Sequence, residues 1–120
     1  MNKVASRYIQ SGRLSLTDPA FNLREFAKQL VLLEDHLAQP NKYCPDCIRK
    51  HLLMAEAYAE EAVALDATGV WGKTPAILAE RVRLWAEAFL DGVPPKELAQ
   101  RIRATRKEIS PYIFNPRTRN

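Results

Sequence analysis

Cysteine and histidine are scarce in this 120-residue chain, with two of each. Two cysteines cannot build the disulfide framework on which small secreted domains depend, so the fold has to rest on a hydrophobic core. Glycine is almost as rare, at four residues, and no Gly-rich phosphate loop or low-complexity tract is present. The longest aliphatic run, Leu30–Leu33, is far short of a bilayer span, so no membrane partner is expected. The apolar block of a secretory signal is missing too. The stretch through Thr17 is acid-free and carries Lys3, Arg7 and Arg13, a transit-peptide-like composition that reads more simply as an arm. No segment alternates with period two, so strands are not expected. Neither a Ser-His-Asp set nor a paired-carboxylate site stands out, and the chain reads as a non-enzyme.

What is present is helical. With 47% apolar and 27% charged residues, the chain has the composition of one globular domain with a modest core. Helix one is predicted from Asn22, with Glu25 three residues on as in a capping box, to the stop at Pro40. Its stripe is Leu23, Phe26, Leu30, Leu33 and Leu37. A second helix should start at Pro45, bury Ile48, Leu52, Ala55, Ala59 and Ala62, and end at Ala67–Gly69. Thr74-Pro75 opens a third, with Leu78, Val82, Trp85 and Phe89 inward, and Gly92 closes it. Pro94-Pro95 opens a fourth, with Leu98, Ile102, Thr105 and Ile109 inward until Pro111 breaks it. Short connections favour antiparallel neighbours. The expected fold is all-α: a small bundle of about four helices spanning residues 18–110, with extended arms at 1–17 and 111–120.

The scarce residues are not scattered. His36, Cys44, Cys47 and His51 lie within sixteen consecutive positions, in the pattern H-x7-C-x2-C-x3-H. That spacing puts four ligands at the mouth of the first helical hairpin. Two thiolates and two imidazoles satisfy tetrahedral Zn(2+) with no coordination position left open, as structural sites do. The start of helix two adds a positive potential that favours thiolate. Such an ion would fasten the end of one helix to the start of the next and supplement a small core. His36, lying across a loop, is the ligand least fixed by spacing. A redox dithiol is the other reading of C-x2-C. The second cysteine pair and the later His-Asn motif of flavin-linked sulfhydryl oxidases are absent.

Two blocks, FNLREFAKQLVLLEDHL and CPDCIRKHLLMAEAYAEEAVALD, resemble small proteins encoded by large DNA viruses and tailed phages. The shared features are N-x-R-E, L-L-E-D-H-L, C-x-D-C-I-x-K-H and A-E-E-A-x-x-L-D, all within residues 21–66. The resemblance implies a structural or assembly role in a particle, located in the virion or the host cytoplasm, and it implies no catalytic activity. It also draws attention to Glu34, Asp35, Glu60, Glu61 and Asp66. These read as solvated helix faces, with Glu61 and its neighbours pairing with Arg24 or Lys28. A carboxylate orienting a metal-bound imidazole is the alternative.

Charge is unevenly placed. Residues 1–92 hold eleven basic and twelve acidic side chains, whereas residues 93–120 hold seven basic and two acidic ones. On helix four, Lys96, Arg103 and Lys107 form an outward stripe, and Arg117 and Arg119 follow in the tail. They would meet phosphates of a nucleic acid or an acidic partner protein. Tyr112, Ile113 and Phe114, set among prolines, form an apolar trio suited to docking on a neighbouring subunit. Two functions follow: a zinc-stapled structural protein that clips to other particle subunits and does not work as a free monomer, or a small nucleic-acid-binding regulator.

Overall fold

In the computed structural model, residues 18–114 are described, with side chains from 18 to 111. They form four α-helices: α1 (Pro19–Ala38), α2 (Pro45–Leu65), α3 (Thr74–Leu90) and α4 (Pro95–Phe114). A single 3-10 turn, Pro40–Lys42, joins α1 to α2, and the described residues contain no strand. None of the described helices is long and apolar enough to cross a membrane. The expected all-α bundle is therefore what forms.

Proline marks every start. Pro19, Pro45, Pro75 and Pro95 all fall in the first two positions of a helix, where a missing N–H leaves no intrahelical bond unmade. The cap of α1 is Asp18, whose Oδ1 accepts the Ala20 N–H at 2.9 Å. Asn22 is therefore not the cap expected for this helix. It lies one turn inside, fully buried, and its Nδ2 donates to the Asp18 carbonyl at 3.2 Å. Likewise Lys73, not Thr74, precedes α3, and it makes no side-chain cap bond. At the other end of α3, Gly92 takes φ +83°, and the Val93 N–H reaches the Ala88 carbonyl at 3.0 Å. That is a Schellman ending, which needs a residue free to adopt left-handed backbone.

The α2–α3 connection is tied by one side chain. Asp66 Oδ1 accepts the Val70 N–H and Oδ2 the Trp71 N–H, both at 3.0 Å. Asp66 is thus a loop organiser rather than part of a solvated helix face.

α1 is the shared wall of the bundle. It packs against α2 on one side and α4 on the other, α2 carries α3, and α3 and α4 touch only lightly. The core is the predicted one: Leu23, Phe26, Leu30 and Leu33 meet Ile48, Leu52, Ala55, Ala59 and Ala62, with Leu78, Val82, Trp85, Leu98, Ile102 and Ile109. Phe89 packs at its edge, partly buried. Arg106 clamps α4 to α1 through a two-pronged pair with Glu34, and this bonding holds the guanidinium pKa above its ordinary value. Arg83 bridges α3 to α2 through Glu56, at 3.3 Å.

Two further expectations need correction. Pro111 does not end α4, which runs through it to Phe114. A proline so near a helix terminus removes a single N–H from an exposed turn, a far smaller loss than in a buried helix interior. Residues 111–114 are therefore helical backbone and not an extended arm. Glu61 is not on a solvated face: it is 8% exposed, and Arg24 and Lys28 pair instead with Asp18 and Glu25. Burial raises the Glu61 pKa. The expected arm at 1–17 and the rest of the tail, including Arg117 and Arg119, lie outside the described residues, as do the side chains of Tyr112, Ile113 and Phe114.

Candidate metal centre

The last turn of α1 and the first turns of α2 carry the four residues singled out by their spacing, and the structure joins them two by two, Cys44 with Cys47 and His36 with His51. Cys44 is the cap of α2. Its extended backbone (φ −144°, ψ 98°) turns its Sγ towards the helix, where it accepts the Cys47 N–H at 3.1 Å. Its carbonyl accepts the Ile48 N–H at 2.9 Å, the first bond of the helix. Cys44 and Cys47 are joined as a disulfide, with Cα atoms 5.2 Å apart. Both cysteines are half-buried.

The histidines come from the two helices of the hairpin and stack on each other. Their ring centroids are 5.5 Å apart and the planes differ by 16°. His36 bonds through Nδ1 to the Lys42 carbonyl at 2.9 Å, and His51 through Nδ1 to Gln29 Oε1 at 2.7 Å. A carbonyl oxygen only accepts, so each Nδ1 must carry the proton and donate. In the neutral ring this leaves the lone pair on Nε2. Burial, then the charges of His36 and Lys50, lowers the pKa of His51 and so favours that neutral ring.

Gln29 was not anticipated from the sequence, yet a signal exists. Asn22, Gln29 and His36 recur every seven residues along the apolar side of α1, as Cys44, His51 and Tyr58 do along α2. The Gln29–His51 contact fixes the antiparallel register, which sets His36 level with Cys44 and Asn22 level with Tyr58. A polar seam thus runs down an otherwise apolar interface.

Does the cluster suit a metal? Among the described residues, no three His, Cys, Asp or Glu side chains converge as the ligands of one ion. With the disulfide closed, the two sulfurs are themselves not thiolate donors. The donor chemistry is otherwise apt. With Zn–N bonds of about 2.0–2.1 Å, two imidazoles at a tetrahedral angle stand roughly 5 Å apart, centroid to centroid. The observed separation is close to that, but the rings are stacked with planes 16° apart, so at least one must turn before both Nε2 lone pairs can meet at one ion. A proton on Nδ1 held by an oxygen is also the usual outer support of an imidazole that ligates through Nε2.

Beside this mouth lies a groove of about 490 Å³ lined by Leu37, Ala38, Pro40, Tyr43, Pro94 and Pro95, with Lys96 at its rim. Along α4, Lys96, Arg103 and Lys107 are exposed and make no ion pair among the described residues. Arg101 and Arg106, by contrast, are engaged by Glu97 and Glu34. The chain matches no protein-family model, no curated protein and no solved structure.

Proposed function

We propose that this protein is a non-catalytic structural or assembly module whose first helical hairpin is stapled by Zn(2+) when its cysteines are reduced. His36, Cys44, Cys47 and His51 would be the ligands. The observation that carries the reading is the pair of imidazoles held at Nδ1 by Lys42 and Gln29, which leaves two Nε2 lone pairs on the hairpin that also carries the C-x2-C. Four such ligands close the coordination sphere, so the ion would contribute folding free energy and no reaction. The apolar groove next to the staple supplies a surface on which a neighbouring subunit could seat. The likeness of residues 21–66 to viral and phage proteins supports a particle as the setting.

The test is elemental analysis of the purified chain under reducing conditions. One zinc per chain, lost in the Cys47→Ser variant, is the expected result. A reduced chain without zinc ends the staple reading, and a chain that never enters a larger assembly ends the structural one.

A nucleic-acid-binding role is favoured by one separate observation, the unpaired stripe of Lys96, Arg103 and Lys107. Three phosphate contacts would give a slope of log affinity against log salt of about −3. A flat salt titration removes that role.

A further inference from the structure

The cluster supports two states that exclude each other, and the disulfide is one of them. We infer that Cys44 and Cys47 are an oxidisable pair, with a hydroperoxide as the oxidant class and Zn(2+) as the ion expelled. This rests on the zinc reading above and extends it to regulation of the same site.

Three features carry the inference. The disulfide closes without disturbing α2: the Cys47 N–H still reaches Cys44 Sγ, and the Ile48 N–H still reaches the Cys44 carbonyl. The oxidised form is therefore a folded state of this hairpin. Both cysteines are half-buried residues and not enclosed in the core, which leaves them on the side from which a molecule the size of hydrogen peroxide would approach. Closure also removes two of the four proposed ligands at once and leaves two imidazoles, held at Nδ1 by Lys42 and Gln29. Two neutral nitrogens alone hold zinc far less tightly than a Cys2His2 set.

The chemistry balances without a further cofactor. One thiolate attacks a peroxide oxygen; the S–O bond forms, the O–O bond breaks and hydroxide leaves. The second thiolate attacks that sulfur, forms the S–S bond and displaces the second hydroxide. Two electrons pass from the sulfurs to the peroxide, two protons from solvent turn the hydroxides into water, and zinc departs. A dithiol reductant reverses the sulfur chemistry and restores the ligands.

The experiment uses the full chain, reduced, loaded with zinc and freed of excess metal and reductant. Hydrogen peroxide is added in steps while a chromogenic chelator reports released zinc and thiol labelling counts free sulfhydryls. The expected result is loss of two thiols together with one zinc, a Cys44–Cys47 disulfide on peptide mapping, and recovery on adding dithiothreitol and zinc. A reduced chain that takes up no zinc overturns the zinc reading and this inference with it. A zinc-loaded chain that keeps metal and thiols through excess peroxide overturns this inference alone. So does zinc release with the sulfurs overoxidised or cross-linked between chains.

Discussion

The two ends of the α1–α2 hairpin bury polar groups to opposite effect. At the mouth, His51 and Gln29 satisfy each other, and His36 is served by the Lys42 carbonyl. At the foot, Asn22 Oδ1 and Glu61 Oε2 are buried without a hydrogen-bond partner among the described residues. A buried polar atom left unpaired costs about 1–3 kcal/mol, more if it is charged. The same kind of residue on the same two helices thus builds a site at one end and a liability at the other. Whether a partner oxygen lies opposite makes the difference, not the polarity itself.

The strongest way to break the comparison is to remove the core that both ends share. Trp85 is 6% exposed on the stripe with Leu78 and Val82, and Trp85→Ala should cost about 3–5 kcal/mol in urea unfolding. A variant with unchanged stability would mean that the α3 stripe holds neither end. At the mouth, chelating zinc from the reduced chain should lower the melting temperature. Metal at a hundredfold its Kd contributes about 2.7 kcal/mol, and Cys47→Ser should erase the chelator's effect.

Gln29→Leu attacks the mouth more gently, by stripping His51 Nδ1 of its acceptor. Zinc affinity should fall about 10–100-fold with the fold retained. An unaltered affinity would show that Gln29 does not orient the ring.

The foot responds in the reverse direction. The folded state holds the Glu61 proton to higher pH than the unfolded chain does, so the group's contribution is full in acid. That contribution is lost as pH rises through the raised folded pKa. Glu61→Gln should therefore be more stable than the parent at neutral pH, and the gap should close on acidification. Paired denaturation curves at neutral and acid pH check this, and a gap that widens in acid reverses the assignment. The smallest effect is expected at Lys107, which belongs to neither end. Lys107→Ala should shift stability by less than about 0.5 kcal/mol, and any salt slope of nucleic-acid binding by about one.

Helix number, order and core were legible because each helix announces itself twice, by a proline at its start and by an apolar stripe of period 3.6. Where the two signals separate, reading fails. The stripe of α1 begins at Leu23, which makes Asn22 resemble a cap, while the Asp18-Pro19 pair that caps it lies outside the periodic run. Pro111 looks like a stop because proline's cost deep in a helix is large, yet one turn from the end it is tolerated. Glu61 has the composition of a surface residue, and only tertiary packing decides that it is buried. The spacing put His36, Cys44, Cys47 and His51 at one hairpin, where the structure pairs the cysteines and stacks the histidines, but C-x2-C is the same string for a thiolate pair and a disulfide. No pattern in the residues distinguishes the two.

The central place of α1 has a consequence for how the molecule opens. A helix walled on both sides can expose its amides only when two interfaces part together, whereas α3 needs to leave α2 and give up only a light contact with α4, chiefly Arg81 with Glu108. Amide protons of α1 should then exchange with solvent only through global unfolding, and those of α3 through a cheaper partial detachment. Since α1 and α2 are neighbours in sequence, the hairpin that carries the cysteines would outlast that detachment, and its mouth would persist in a half-open molecule.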